Sequence, residues 1–96
     1  MVAEPQTAEL CLVLSLLVRA MVDRPEAVAI EPTMNDDGSV TFELRVDRVD
    51  IGKVIGLQGR TSRSLRVILA TISKAQRIQY SLNIEGDTLF SKPMVE

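Results

Sequence analysis

The decapeptide VIGLQGRTSR (residues 54–63) sets two glycines three residues apart at the end of an apolar run, then follows them with two arginines and no acid. Gly56 and Gly59 permit backbone angles that a Cβ opposes. GLQG therefore makes a tight joint between a short helix ending near Ile55 and a longer one opening near Arg60. Such a joint also carries little side-chain bulk. Free N–H groups at the start of the second helix, with the positive end of its macrodipole, suit an anion such as phosphate. Lys53 and Arg60 lie just outside the glycine pair, and Arg63 one turn further on. Glycines so placed can equally serve to cap and turn the chain and nothing more. A dinucleotide fingerprint or a P-loop needs another spacing and a preceding strand, and this stretch has neither.

The charge around this joint is segregated. Across 96 residues, 11 basic and 13 acidic side chains leave a net charge of -2. Split by position, residues 1–50 sum to -6, residues 51–84 to +6 without a single Asp or Glu, and residues 85–96 to -2. This distribution predicts a basic face on an acidic body, with the glycine pair inside the basic part.

Working outward, Leu10, Val13, Leu14, Leu17 and Met21 recur at helical spacing and predict an amphipathic helix over residues 8–22, ended by Asp23 and Pro25. Leu12 and Leu16 add a second apolar stripe. Either the helix makes a wide contact with a sheet, or the stripe is a surface for a partner. EAVAIEP (residues 26–32) reads as a short strand ended by Pro32, NDDG (residues 35–38) as a turn, and SVTFELRV (residues 39–46) as a strand with Val40, Phe42, Leu44 and Val46 inward. Asp47 caps the short helix RVDIGKVI, and a helix over residues 60–75 buries Leu65, Ile68, Leu69 and Ile72. Arg60, Arg63 and Lys74 project from its opposite side, with Arg66 at the flank. RIQYSLNIE then forms a last strand with Ile78, Tyr80, Leu82 and Ile84 inward. The order α-β-β-α-α-β predicts an α+β sandwich with three strands and three helices in one domain over residues 1–86, and a tail over 87–96.

Composition excludes several functions. The chain has no His and no Trp, and Cys11 is its single cysteine, so no Cys/His metal cluster or disulfide framework can be assembled. Neither a cofactor nor a metal is expected. No nucleophile has a neighbouring base and no carboxylate pair lies in an apolar setting, which argues against an enzyme. The run LCLVLSLLV follows Glu4 and Glu9 where a secretion signal carries positive charge, and it is too short to cross a bilayer. A cytoplasmic protein without membrane contact is expected.

The stretch DIGKVIGLQGRTSRSLRVI (residues 50–68) resembles the signature of the KH domain, and the element order resembles its bacterial type II form. With VTFELRV, IGKVIG, QGRT and the chain length, the likeness over residues 8–85 extends to the KH domain-containing protein A family of small bacterial RNA chaperones. That resemblance implies a three-stranded mixed sheet packed against three helices. It also implies a groove for about four nucleotides of single-stranded RNA between the two central helices with their GxxG loop and the sheet edge. Gly56, Leu57, Gln58 and Gly59 would carry the sugar-phosphate backbone, and Lys53, Arg60 and Arg63 would neutralise it. Ile51, Val54 and Val46 would floor the groove under the bases. The middle positions Leu57 and Gln58 depart from the Lys or Arg common in such loops, so this loop contributes no charge of its own. The family further implies a homodimer, or association with a second, larger KH-domain RNA-binding protein, and a link to cell shape and cell-wall biogenesis. Leu12 and Leu16 are the expected interface residues.

Overall fold

Strand β2 (Val40–Arg45) is the centre of the fold because its alternation supplies one apolar face and one polar face. Val40, Phe42 and Leu44 are buried, while Glu43 and Arg45 point to solvent. In the computed structural model, which describes residues 5–86, β2 lies between two edge strands. The tail expected over residues 87–96 lies outside the described residues. β1 (Ala29–Met34) pairs with β2 antiparallel, and β3 (Tyr80–Ile84) pairs with it parallel. Parallel neighbours require a crossover. It is supplied by α2 (Ile51–Ile55) and α3 (Arg60–Gln76), and α1 (Pro5–Met21) completes the helical layer. The three helices and three-stranded mixed sheet are the α+β architecture expected of a type II KH fold.

The hairpin between β1 and β2 is closed by the residues that favour a turn. Gly38 has φ +89°, and Asp37 accepts hydrogen bonds from the Ser39 N–H at 2.9 Å and the Ser39 hydroxyl at 2.7 Å. Those bonds, the Ser39 hydroxyl first, hold the Asp37 carboxyl below its ordinary range. β1 corrects the expected strand at both ends. Glu26 and Ala27 belong to a single 3-10 turn opened by Pro25, and the strand runs through Pro32 to Met34. Pro32 is tolerated because Asn35 donates to the Ser39 carbonyl and bonded pairs alternate along the ladder. Counting back three residues, Pro32 falls at a position whose missing N–H faces the open edge.

Phe42 anchors the core. It is fully buried, and its ring stacks on Tyr80 with centroids 5.5 Å apart and an interplanar angle of 24°. The Tyr80 hydroxyl donates to Gln76 Oε1 at 2.6 Å and lies 3.2 Å from the buried Thr7 hydroxyl, so one side chain ties α1, α3 and β3 together. Ser73 adds a second tie, accepting the Tyr80 N–H at 3.0 Å while its own hydroxyl donates to the Leu69 carbonyl.

Two helical stripes differ from expectation. On α1 the buried set is Thr7, Leu10, Leu14 and Val18, whereas Val13 and Leu17 are 56% and 42% exposed. On α3 Leu65 and Leu69 are buried with Ser62 and Ser73, while Ile68 is 50% exposed. The reason is the same in both. At about 100° per residue, the residue one step before a core position is rotated out of the narrow strip that meets the sheet.

Replacing Phe42 by Ala removes the stacking partner of Tyr80 and leaves a cavity, and urea denaturation is expected to show a loss of about 3–5 kcal/mol with the slope unchanged.

Candidate nucleic-acid interface

The loop between α2 and α3 is shaped by three residues in the left-handed half of backbone space. Gly56 has φ +81°, Gln58 +56° and Gly59 +73°. The two glycines differ in what surrounds them. A Cβ on Gly56 would fall 2.3 Å from Thr61 Oγ1, 2.7 Å from Thr61 Cβ and 2.8 Å from the Thr61 N, so α3 packs directly on this main chain. At Gly59 the nearest atom to such a Cβ is an Arg63 guanidinium nitrogen, 3.9 Å away, and the space is open. Leu57 and Gln58 between them are exposed. The loop is thus closed underneath and bare on top.

Helix α3 begins at Arg60 with no side chain capping its N-terminus. Arg63 folds back, its guanidinium donating to the Gln58 carbonyl at 3.1 Å, which brings positive charge to a loop that has none of its own. Arg60 is exposed and forms no ion pair among the described residues. Together with Ser64, Val67 and Ile68, these two arginines line an open hollow of about 520 Å³ on α3. Its apolar wall was missed in the sequence because Ile68 is read there as core; the near-equal spacing of Leu65, Ile68 and Leu69 gives no signal to separate them.

Lys53 has a different setting from the one expected. Its ammonium donates to Asp23 at 3.1 Å and lies 3.8 Å from Asp50, so its charge is engaged by the segment that follows α1. The Asp23 hydrogen bond and charge raise the Lys53 pKa above its ordinary value. Ile51, Val54 and Val46 are 5%, 0% and 9% exposed and belong to the core. As a correction to their expected place under the bases, they offer a firm underside to the helices rather than a surface open to a ligand.

Two aspartates position α2, and only one was anticipated. Asp47 caps the preceding turn by accepting the Val49 N–H at 3.0 Å, as its place in the sequence predicts. Asp50 is fully buried and accepts the Asp23 N–H at 3.0 Å and the Arg24 N–H at 2.9 Å, pinning the end of the α1 connection to the start of α2. Burial works to raise its pKa, but those two N–H groups, with the Lys53 and Arg24 charges, hold it below the ordinary value.

On the far side of α3, β3 turns one edge away from β2. The Gln79 carbonyl and the Glu85 N–H bond to β2, so by alternation Tyr80, Leu82 and Ile84 direct their main-chain groups to the open edge. Arg66 reaches across from α3 to donate to the Leu82 carbonyl at 3.2 Å. Helix and sheet edge are therefore clasped at mid-strand.

A parallel β2–β3 pair crossed by two helices through a GxxG joint, with an additional helix and strand at the start, defines a type II KH domain. The family model described as "KhpA/KhpB, KH domain" matches residues 12–84, and the chain belongs to that family. Among curated proteins it is 35% identical over 74 residues to the RNA-binding protein KhpA of Chlamydia caviae, covering 77% of this chain and 94% of that protein. It is 38% identical over 71 residues to the RNA-binding protein KhpA of Treponema pallidum (74% and 88%), and 37% identical over 73 residues to that of Listeria monocytogenes (76% and 93%). No solved structure matches the chain. No helix among the described residues is long and apolar enough to cross a membrane.

Gly56→Ala forces a methyl group into Thr61, and because the Thr61 main-chain N is itself 2.8 Å away, shortening Thr61 to Ala does not relieve the contact. Gly59→Ala meets only the cost of its left-handed φ, about 1–2 kcal/mol. Thermal unfolding is expected to rank the variants with Gly56→Ala clearly lower. For Asp50, whose folded pKa lies below 3.8, the stabilisation is complete above that value and is lost as pH falls through the folded pKa. Urea midpoints measured from about pH 4 downward are expected to fall more steeply for the parent than for Asp50→Asn, which starts lower at neutral pH.

Proposed function

We propose that this chain binds single-stranded RNA without catalysing a reaction, laying about three or four phosphates along the 56–59 loop and the first turn of α3. The observation that carries this reading is the loop itself: main chain exposed over an uncapped helix start, with Arg63 drawn back onto the Gln58 carbonyl and Arg60 beside it. The names of the three KhpA proteins as RNA-binding support the same ligand. Arg60 and Arg63 neutralise the backbone, and the Val67–Ile68 wall offers an apolar surface to a base. Lys53 contributes if a phosphate draws it from Asp23. With no charge at Leu57 and Gln58 and few contacts to base edges, binding is weak and tolerant of sequence, which suits a cytoplasmic RNA chaperone that releases what it holds.

A second reading, association with another KH protein or with a second copy, has its own observation: Leu12 and Leu16 on α1 are 59% and 54% exposed.

Titrating a short single-stranded RNA at several salt concentrations is expected to give a slope of log affinity against log salt of about -2 to -3. Replacing both Leu57 and Gln58 by Asp is expected to abolish binding with the fold retained, as judged by circular dichroism. A flat salt response, or full affinity in the double variant, would remove the loop from the mechanism.

A further inference from the structure

We propose that α1 is a self-pairing surface on which two copies of this chain dock as an antiparallel helix pair, centred level with Leu14 and sealed by Glu9–Arg19 ion pairs. This deepens the association reading and is independent of RNA binding. With Thr7, Leu10, Leu14 and Val18 turned to the core, the outward face of α1 carries Glu9, Leu12, Leu16 and Arg19, all exposed. Their spacings of three, four and three residues are those of a seam in a two-helix pairing. At about 100° per residue the four fall within a stripe about 80° wide. Leu12 and Leu16 occupy its middle, and Val13 widens the apolar surface on one side. On the other side Leu12 also borders an open hollow of about 520 Å³ between α1 and β1.

The charges select both the partner and the direction. Glu9 and Arg19 form no ion pair among the described residues, so each presents its charge to whatever covers the seam. A parallel pair would set Glu9 against Glu9 and Arg19 against Arg19 of the second copy. An antiparallel pair related by a two-fold axis at Leu14 sets Leu12 against Leu16 and Glu9 against Arg19, twice over. One stripe satisfying itself under a two-fold axis is the signature of an isologous contact. Glu9 and Arg19 are about 15 Å apart along the helix, and a seam of that length buries less than the ~1,200–2,000 Å² of a tight complex. The dimer is accordingly weak, with a Kd on the order of 10–100 µM. The loop packs on α2 and α3 and α1 packs on β1, so pairing leaves the loop uncovered.

Sedimentation of the full chain up to about 300 µM tests this through charge exchange. The parent is expected to show a monomer–dimer equilibrium. Glu9→Arg alone and Arg19→Glu alone each create two repelling contacts and are expected to weaken self-association about tenfold or more. The Glu9→Arg/Arg19→Glu double variant, and an equimolar mixture of the two single variants, are expected to return to within about threefold of the parent. Circular dichroism checks that each variant is folded, and RNA affinity measured below the dimer range is expected to be unchanged in all of them. A parent that remains monomeric overturns the proposal together with the self-association it rests on. A parent that dimerises while the single variants dimerise equally well, or the double variant fails to recover, overturns this geometry and leaves self-association standing.

Discussion

Gly56 has no room for a side chain, and the placement of the candidate interface follows from that. Its main chain lies directly under Thr61, so the end of α2 and the first turn of α3 are held as close as two pieces of backbone allow. The close approach requires the chain to reverse within four residues, which three left-handed backbone angles accomplish. Because the reversal needs so little side-chain bulk, Leu57 and Gln58 are pushed outward and the loop presents polar main chain at its crest. Binding surface and structural joint are therefore the same atoms. The simple reading of the glycines as a turn and the functional reading as a cradle are two consequences of one constraint.

The electrostatics are more distributed than the +6 of residues 51–84 suggests. Lys53 is engaged by Asp23, Arg66 reaches the Leu82 carbonyl, and Arg63 bends to the Gln58 carbonyl. Arg60 and Arg63 are the cations closest to the loop in sequence and in the α3 hollow. Two guanidinium groups beside an uncharged loop can hold a polynucleotide backbone in place without gripping it, since each phosphate contact adds a modest, salt-sensitive increment. Asp50, buried beneath the α1 connection, keeps α2 at the angle this arrangement needs.

Much of this was legible in the sequence, for reasons that can be named. β2 and β3 alternate cleanly because each has one face in the core, and Asp47, Gly56 and Gly59 occupy positions where only a few residue types serve. Exposure on the helices was harder to read. Val13, Leu17 and Ile68 are as apolar as their buried neighbours, and nothing in a single chain's pattern distinguishes a broad core contact from an open apolar surface. Long-range partners were also beyond reach: Asp23 and Lys53 lie 30 residues apart, as do Asp50 and Arg24 at 26, and charge counting along the chain cannot anticipate which opposite charges fold together. The β1 boundary moved because Pro32 disfavours a central strand, whereas this strand is at the edge.

The most direct test of the central claim is an amide chemical-shift titration of the isotope-labelled chain with a short single-stranded RNA. The largest changes are expected at Gly56, Leu57, Gln58, Gly59 and the first turn of α3, with smaller ones along Leu82 and Ile84 at the open edge of β3. Changes confined to α1 or to the outer face of the sheet, with the glycine loop silent, would contradict it.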